Sequence, residues 1–284
     1  MMTSMKFSAA DWAFFKKDHA PDSYYDRLKD IGYDGVEMVD ARRWAKVRAA
    51  GLVIVTMSGP GMTKGLNRRE NHTELLPSLR DAIAVAGENG IPQLIIFSGN
   101  RQGQSDQEGI ANCRIGIEAI LPDAARHKVT LAFEMLNSND HPDYQADHGA
   151  YGFELVRHVG SPWLKLVYDI YHMERMGDDS SRDITANISA IAHLHVAESP
   201  RRNRPRPDGN IAYADIVRAV TGAGYAGFWG MEFIPGDDPL AELAEARSYF
   251  LTTNSRNAEH KSRQPEGSGD SSHRQAGSVA GVAG

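Results

Sequence analysis

Eight short apolar runs recur along the chain, separated by segments long enough for a helix and two loops. The runs are continuously apolar and often β-branched, which is typical of parallel strands buried on both faces. They are Met5–Ala9, Gly35–Val39, Leu52–Met57, Leu94–Phe97, Val129–Phe133, Leu164–Tyr168, Ile191–Val196 and Gly227–Phe233. Eight strands alternating with helices favour an α/β fold of the closed (β/α)8 TIM-barrel type over a doubly wound sheet.

The segments between these runs have the apolar periodicity of amphipathic helices. Glycine just past such a segment, as at Gly32, is typical of a left-handed helix C-cap before the next strand. The predicted helices are Ser23–Ile31, a short one at Ala41–Ala50, Thr73–Asn89, Asp106–His127, Gly152–Val159 and Tyr213–Ala223.

The composition changes sharply near Leu251. The stretch from Thr252 to Gly284 is rich in Ser, Gly, Asn and Gln, and its only apolar residues are Ala and Val. Such a segment cannot bury enough surface to offset the entropy lost on ordering. We therefore expect a single barrel domain over residues 4–250 and a disordered tail over residues 251–284.

The charge and cysteine content exclude several classes of partner and compartment. The net charge of −6 and the pI of about 6.0 argue against a nucleic-acid or anionic-membrane footprint. Cys113 is the one cysteine, which excludes an intramolecular disulfide and indicates a reducing compartment. The first residues lack the apolar stretch of a signal peptide, and no run approaches the roughly 18 apolar residues of a membrane span. These features predict a cytoplasmic protein.

Four of the apolar runs end on residues that bind divalent metals. Glu134, Asp169, His195 and Glu232 close or directly follow the fifth to eighth runs. In a TIM barrel the C-terminal ends of the strands meet at one mouth, so these side chains are expected to share a cavity. Three carboxylates and one imidazole suit one divalent ion, with Mn²⁺ favoured and Mg²⁺ or Co²⁺ as alternatives.

A carboxylate at a strand end is weak evidence when taken singly. Glu37 also closes an apolar run, and such residues often only cap a helix or pair with an arginine. His193 competes with His195 for the ligand role, because residues two apart face the same side of a strand. The C-terminal member lies nearer the mouth, so we choose His195 and expect His193 to be hydrogen-bonded one layer deeper.

These residue types indicate proton-transfer chemistry on a hydroxy-carbonyl compound. A metal that binds a carbonyl oxygen and the neighbouring hydroxyl oxygen acidifies the C–H bond between them and favours an enediolate. Glu134 and Glu232 stand three apart in a ring of eight strands and would flank such a substrate as general bases.

Several segments resemble the sugar phosphate isomerase/epimerase superfamily, the xylose-isomerase-like TIM barrels, and especially their hydroxypyruvate isomerase branch. The similarity covers nearly the whole folded part, and Phe133–Tyr144 and Lys165–Met173 are fairly specific to this branch. The matching stretches are Gly65–His72, Ile96–Arg101, Phe133–Tyr144, Lys165–Met173, Ala192–Val196 and Gly230–Pro235.

The resemblance implies a metal-dependent isomerase with the same four metal ligands and with the two glutamates as the acid/base pair. It implies substrate contacts from His172 and Asp140, and from an arginine after the seventh strand. The ketose epimerases place that arginine at Arg201, whereas the hydroxypyruvate isomerase pattern places it at Arg202. The resemblance is also compatible with a homo-oligomer.

His72 has two interpretations at this stage. It follows Asn71 near the start of a predicted helix, where it either reaches the mouth and contacts the substrate or stands beside a helix cap.

The substrate stays open between three reactions. The first choice is the interconversion of hydroxypyruvate and tartronate semialdehyde. The segment Glu198–Arg202 departs from the hydroxypyruvate isomerase pattern, and Ala197–Ser199 looks more like the ketose 3-epimerases, which makes a ketose 3-epimerase the closest alternative. A metal-dependent keto-sugar or keto-inositol dehydratase is the third, because an enediolate can also expel a β-hydroxyl group.

Overall fold

The computed structural model describes residues 5–16 and 19–263, with side chains up to residue 255. Eight parallel strands pair in chain order and close into a barrel, in which β1 pairs with both β2 and β8. The strands are β1 Lys6–Ala10, β2 Gly35–Glu37, β3 Val53–Ser58, β4 Gln93–Phe97, β5 Thr130–Glu134, β6 Leu164–Asp169, β7 Ile191–Val196 and β8 Phe228–Met231. The predicted TIM barrel and its eight strands are confirmed, with strand ends shifted by at most two residues.

Helices follow the strands and cover the outside of the barrel. They are α1 Asp11–Phe14, α2 Pro21–Ile31, α3 Trp44–Ala49, α4 His72–Glu88, α5 Asp106–His127, α6 Gly149–Val159, α7 Ile170–Met176, α8 Ser180–Ala186, α9 Tyr213–Gly222 and α10 Pro239–Arg263. The predicted helix at Ala41–Ala50 is a short 3₁₀ turn, Ala41–Arg43, that leads into α3. None of the described helices is long and apolar enough to cross a bilayer.

Local signals in the sequence account for several helix ends. Ser105 caps α5 by accepting a hydrogen bond from the backbone N–H of Glu108, as expected of a serine N-cap. At its C-terminus, helix α2 is capped by Gly32, whose φ of 95° lies in the left-handed region that glycine tolerates.

The last helix extends beyond the predicted end of the domain. Leu243 and Phe250 are fully buried, and the Phe250 ring packs 5.4 Å from the ring of Trp229 on β8. Once this packed face has nucleated the helix, each further residue propagates it at little cost. The helix therefore continues through residues 251–263, where the sequence predicts disorder, while residues 264–284 of the predicted tail lie outside the described part.

Candidate metal centre

Four side chains meet at the C-terminal mouth of the barrel, and we call them the upper cluster: Glu134, Asp169, His195 and Glu232. Each offers a nitrogen or carboxylate oxygen, and these atoms all lie within 4.8 Å of one another. The strands place them, since Asp169 pairs with His195 across β6 and β7 and Glu232 follows β8 directly. The structure thus brings together the four residues that the sequence singles out as metal ligands.

The imidazole of His195 contacts both glutamates of the upper cluster through one nitrogen. Its Nδ1 is 2.9 Å from Oε1 of Glu134 and 3.2 Å from Oε2 of Glu232. Asp169 also caps helix α7, because its Oδ1 accepts a hydrogen bond of 3.1 Å from the backbone N–H of His172. Nδ1 is therefore the ring nitrogen of His195 that faces the carboxylates of the upper cluster.

Arg202 reaches into the upper cluster, whereas Arg201 is exposed to solvent. A terminal nitrogen of the Arg202 guanidinium lies 2.6 Å from Oε2 of Glu232 and 3.8 Å from Oδ2 of Asp169. The backbone of Arg202 has a φ of 53°, a left-handed conformation that residues other than glycine rarely adopt. Of the two arginines left open by the sequence, the structure brings Arg202 to the carboxylates.

Aromatic residues frame this arginine. The guanidinium of Arg202 lies 5.5 Å from the ring centroid of Trp12 and 5.5 Å from that of Tyr171. The indole N–H of Trp12 donates a hydrogen bond of 3.0 Å to Oε1 of Glu232. Contacts of this kind hold the face of a guanidinium against the rings and leave its edge, with the nitrogens, directed at carboxylate groups.

The pKa values of the three buried carboxylates in the upper cluster are shifted in different directions by burial and by the neighbouring charges. Burial raises the pKa of Asp169 to about 7, although Arg202 opposes the rise. Burial also raises the pKa of Glu134. Burial would do the same for Glu232, but His195 and Arg202 outweigh it and lower its pKa. The upper cluster therefore favours the addition of positive charge.

His172 presents a buried nitrogen to the same space. The backbone N–H of Asn137 donates to its Nδ1 at 3.2 Å, so the neutral ring carries its proton on Nε2. This Nε2 has no hydrogen-bond partner and lies 3.6 Å from Oδ2 of Asp169. Burial, aided by the charge of Arg202, lowers the pKa of His172 well below 6.5 and keeps the ring neutral. A neutral donor is thus available for a substrate oxygen.

Two other predicted contact residues stand further out. Asp140 accepts hydrogen bonds from the Tyr171 hydroxyl at 2.5 Å and from the Asn137 side chain at 3.0 Å. It reaches the upper cluster only through these neighbours. His72 is the first residue of α4, where its Nε2 donates to the backbone carbonyl of Leu66 at 2.9 Å and its ring packs beside Gly116 of α5.

A second buried set of polar groups lies one layer deeper, and we call Glu37, His193, Ser8 and Thr56 the lower cluster. Oε1 of Glu37 accepts a hydrogen bond of 2.7 Å from the Ser8 hydroxyl, and its Oε2 accepts one of 3.3 Å from Thr56. Nε2 of His193 lies 2.8 Å from the same Oε2 but is not aligned for a hydrogen bond. His193 therefore lies in the deeper layer that the sequence predicts, where its ring contacts Glu37 without the expected hydrogen bond.

His195 connects the two layers. Its Nε2 lies 2.9 Å from Oε2 of Glu37, on the opposite side of the ring from the atoms that face Glu134 and Glu232. Burial opposes a charged ring, but Glu232 and Glu37 outweigh it and raise the pKa of His195 well above 6.5. Nδ1 of His195 thus faces two carboxylates, those of Glu134 and Glu232, whereas Nε2 faces only that of Glu37.

The donor set of the upper cluster fits a divalent metal. Oxygen ligands from three carboxylates and one imidazole nitrogen match the preferences of Mn²⁺, Mg²⁺ and Co²⁺. The surplus of negative charge on the carboxylates favours a bound cation. The unpartnered Nε2 of His172 can donate to a polar ligand beside that cation. Glu134, Asp169, His195 and Glu232 are the residues that would hold it.

Sequence reasoning did not recognise Glu37 and Asn137 as parts of this region. Glu37 resembles any acid at the end of an apolar run, and its partner His195 is 158 positions away. Asn137 lies within the segment Phe133–Tyr144 that carries the family resemblance. Its position close behind Glu134 in the sequence is the feature that could have indicated its place in the site.

Comparison with known proteins gives a consistent family. A model described as the xylose isomerase-like TIM barrel matches residues 25–252. The human putative hydroxypyruvate isomerase is 24% identical over 277 residues, covering 88% of this chain and 96% of that protein. The L-ribulose-5-phosphate 3-epimerase of Salmonella heidelberg is 27% identical over 248 residues, covering 78% and 85%. The relatives are isomerases and epimerases.

A solved structure supports the fold. The structure of an L-ribulose 3-epimerase superposes with a TM-score of 0.75 at 20% identity, covering 93% of this chain and 100% of that one. At this identity the likeness concerns the barrel architecture alone.

Proposed function

We propose that this chain, which belongs to the xylose isomerase-like TIM barrel family, is a divalent-metal-dependent isomerase of a small α-hydroxy carbonyl compound. The proposed reaction is the interconversion of hydroxypyruvate and tartronate semialdehyde, and the proposed ion is Mn²⁺. A cytoplasmic location is proposed from the single cysteine and its reducing compartment.

The observation that carries this proposal is the composition of the upper cluster. Four donor atoms from four strand ends lie within 4.8 Å of one another, and three of them are carboxylate oxygens. Two of those carboxylates, Glu134 and Glu232, both lie beside Nδ1 of His195. This arrangement supplies both a metal site and two proton carriers beside it.

A divalent metal, when bound, polarises the carbonyl and hydroxyl oxygens of the substrate and so acidifies the C–H bond between them. Glu134 or Glu232 removes that proton from the hydroxyl-bearing carbon and returns it to the former carbonyl carbon. The electron pair of that C–H bond forms the C=C bond of an enediolate while the carbonyl π pair moves to its oxygen, and the hydroxyl proton passes to this former carbonyl oxygen. Protonation of the former carbonyl carbon then forms the new C–H bond and leaves the carbonyl group on the other carbon. No other reactant is consumed.

Neighbouring residues orient the substrate. His172 donates from its Nε2 to a substrate oxygen, which its neutral tautomer allows without adding charge. Arg202 binds the carboxylate of a three-carbon keto acid, because its planar guanidinium suits bidentate contact with carboxylates. Entry of Arg202 rather than Arg201 into the site supports hydroxypyruvate, because the hydroxypyruvate isomerase pattern has its arginine at this position.

Deuterium exchange tests the proposed function. Mn²⁺-loaded protein is incubated in D₂O with hydroxypyruvate and, separately, with a panel of ketoses. We expect deuterium at the hydroxymethyl carbon of hydroxypyruvate together with formation of tartronate semialdehyde. Turnover of a ketose without any exchange into hydroxypyruvate would reject the proposed substrate.

A ketose 3-epimerase is the second candidate. It is favoured by the presence of two carboxylates in the upper cluster that come from separate strands, Glu134 from β5 and Glu232 from the end of β8, since epimerisation needs a base on each face of one carbon. In the same exchange experiment an epimerase places deuterium at C3 of a ketose and forms its epimer. A dehydratase is distinguished by loss of the β-hydroxyl group.

A further inference from the structure

The proposed mechanism gives no role to the lower cluster, although it contains the most completely hydrogen-bonded carboxylate of this part of the barrel. Glu37 is fully buried. Its two oxygens accept from Ser8 on β1, Thr56 on β3 and Nε2 of His195 on β7. A buried carboxylate with donors from three strands is held in one orientation.

The strands are irregular where they position these residues. The pairing of β2 with β3 shifts register between Val36 and Glu37, so that Glu37 stands opposite Thr56. The next residue, Met38, has a φ of 52°. Bulges and left-handed residues cost conformational energy and recur where a side chain must be redirected.

A second register shift occurs on the other side of the barrel. The pairing of β6 with β7 shifts between Leu166 and Val167, which sets His193 opposite Val167 and Asp169 opposite His195. Both irregularities therefore serve one contact, in which Glu37 approaches His195 across the barrel interior from a strand that is not its neighbour.

We propose that Glu37 is a positioning residue that accepts the Nε2–H of His195 and thereby directs Nδ1 to a divalent metal. The inference rests on the metal centre of the proposed function. A metal-binding histidine commonly donates its second ring N–H to a carboxylate, which selects the tautomer and raises the basicity of the ligand nitrogen. Here Ser8 and Thr56 hold the carboxylate itself.

The lower cluster is better suited to this role than to a metal of its own. Glu37, His193 and His195 have ligand atoms close enough to hold an ion. However, Oε2 of Glu37 already accepts hydrogen bonds from Thr56 and from Nε2 of His195, and that Nε2 would have to lose its proton to bind an ion in the lower cluster. A carboxylate with its lone pairs occupied acts as a hydrogen-bond acceptor for the ring.

Metal affinity in a double-mutant cycle tests the proposal. Co²⁺ binding to the full chain is measured by equilibrium dialysis for the wild type, Glu37→Gln, His195→Ala and the double variant. Glu37→Gln should weaken Co²⁺ binding by about 10–100-fold, the usual effect of losing such a partner. In the His195→Ala background the same substitution should change affinity by less than about 3-fold, because the effect passes through His195.

A matched substitution controls for the loss of any buried carboxylate. Asp11 is 1% exposed and accepts hydrogen bonds from Tyr25 and Arg43 behind β1. Asp11→Asn should lower the denaturation midpoint and leave Co²⁺ affinity unchanged. Equal weakening of Co²⁺ binding by Asp11→Asn and Glu37→Gln would overturn the proposal, as would a Glu37→Gln effect of the same size with and without His195.

The state of the ring provides an independent readout. In Zn²⁺-loaded protein with ¹⁵N-labelled histidine, the two nitrogens of His195 should appear as a metal-bound Nδ1 and a protonated Nε2. A metal-bound Nε2 overturns the proposal. Two Co²⁺ per chain, with one lost in His193→Ala, would assign the lower cluster as a second metal site instead. A wild-type chain that binds no Co²⁺ rejects the proposed metal centre and its positioning residue together.

Discussion

The upper and lower clusters are built from the same residue types but differ in how their charges are balanced. In the lower cluster one carboxylate, Glu37, receives donors from Ser8, Thr56 and His195. In the upper cluster three carboxylates share the donors of His195, Arg202 and a few N–H groups. The carboxylate of the lower layer is therefore satisfied by the protein alone, whereas the three carboxylates of the upper layer form a donor set that suits a divalent cation.

This difference shows how a barrel interior can support reactive groups. Unbalanced carboxylates are costly to bury, so they stand at the mouth, where Glu134 and Glu232 are each 5% exposed. Their supporting groups lie where water does not reach, and Glu37 and His193 are fully buried. His195 belongs to both layers and transmits the order of the lower one to the upper one.

The largest expected effect comes from metal removal, which acts on the upper cluster alone. EDTA should abolish turnover, and Mn²⁺, Co²⁺ or Mg²⁺ should restore it, because the proton carriers need the acidified C–H bond. Activity is followed by the deuterium-exchange assay. Full activity in a sample verified as metal-free would contradict the proposal that the upper cluster, unlike the lower one, needs a bound metal.

Replacing the proton carriers should have the next largest effect. Glu134→Gln and Glu232→Gln keep an oxygen for weak coordination but remove the basic site. Each should lower kcat by about 10²–10⁴ while metal affinity falls only modestly. Steady-state kinetics at saturating Mn²⁺ measure this.

The same pair distinguishes the two candidate reactions. In a 3-epimerase each glutamate serves one face, so one variant can still exchange the proton of one epimer. In an aldose–ketose shift one variant should lose exchange entirely while the other retains some. Near-normal turnover in both variants would transfer the proton-carrier role to another group, with His172 next in line.

The two histidines of β7 give a direct comparison between the layers. His195→Ala removes a ligand and should weaken Mn²⁺ binding by more than about 100-fold, beyond the usual effect of a supporting residue. His193→Ala should instead lower stability, since it leaves a cavity and an altered partner for Glu37. Titration calorimetry and denaturant unfolding separate these outcomes. If His193→Ala strips the metal and His195→Ala does not, the ligand lies in the deeper layer.

The stability of the metal-free protein should depend on pH in the direction set by the upper cluster. Burial raises the pKa of Asp169 from 3.8 to about 7, and Glu232 and Glu37 overcome burial to raise that of His195 above 6.5. A folded-state pKa above the unfolded value adds stability at low pH that is lost as pH rises toward the folded value. Both groups therefore destabilise the metal-free chain as pH increases from about 5 to about 8.

Denaturation midpoints across this pH range test the sign. Saturating Mn²⁺ should largely remove the trend, because metal binding replaces the proton on His195 and strengthens with pH. A metal-free midpoint that rises with pH would contradict the charge balance assigned to the upper cluster. Glu37 contributes in the opposite direction only at more acidic pH, since its pKa is lowered by His193 and His195 in spite of burial.

The smallest expected effect concerns the boundary between the layers. A Cβ at Gly230 would lie 2.3 Å from Oε1 of Glu37 and 2.6 Å from Nε2 of His193. Gly230→Ala should therefore cost about 1–3 kcal/mol of stability, as overpacking usually does. Metal affinity should also fall, because the displaced Glu37 carries His195 with it. An unchanged unfolding free energy would mean that the lower cluster has room to move.

The sequence determined the repeating part of this protein. Strand and helix periodicity are local properties, so eight apolar runs predict eight strands, and the parallel order makes their ends converge on one mouth. This rule is sufficient to identify Glu134, Asp169, His195 and Glu232. The continuation of α10 into residues 251–263 follows instead from the packing of Leu243 and Phe250, which the composition of that segment does not report.

The tertiary structure alone decided which other side chains meet these four. Trp12 contacts Glu232 across 220 positions, and Glu37 contacts His195 across 158. Arg202 enters the site through a left-handed backbone conformation that its neighbour Arg201 does not share. Contacts across a barrel interior depend on closure and on register shifts in β2–β3 and β6–β7. Such shifts redirect whole side chains, and the local residue pattern does not encode them.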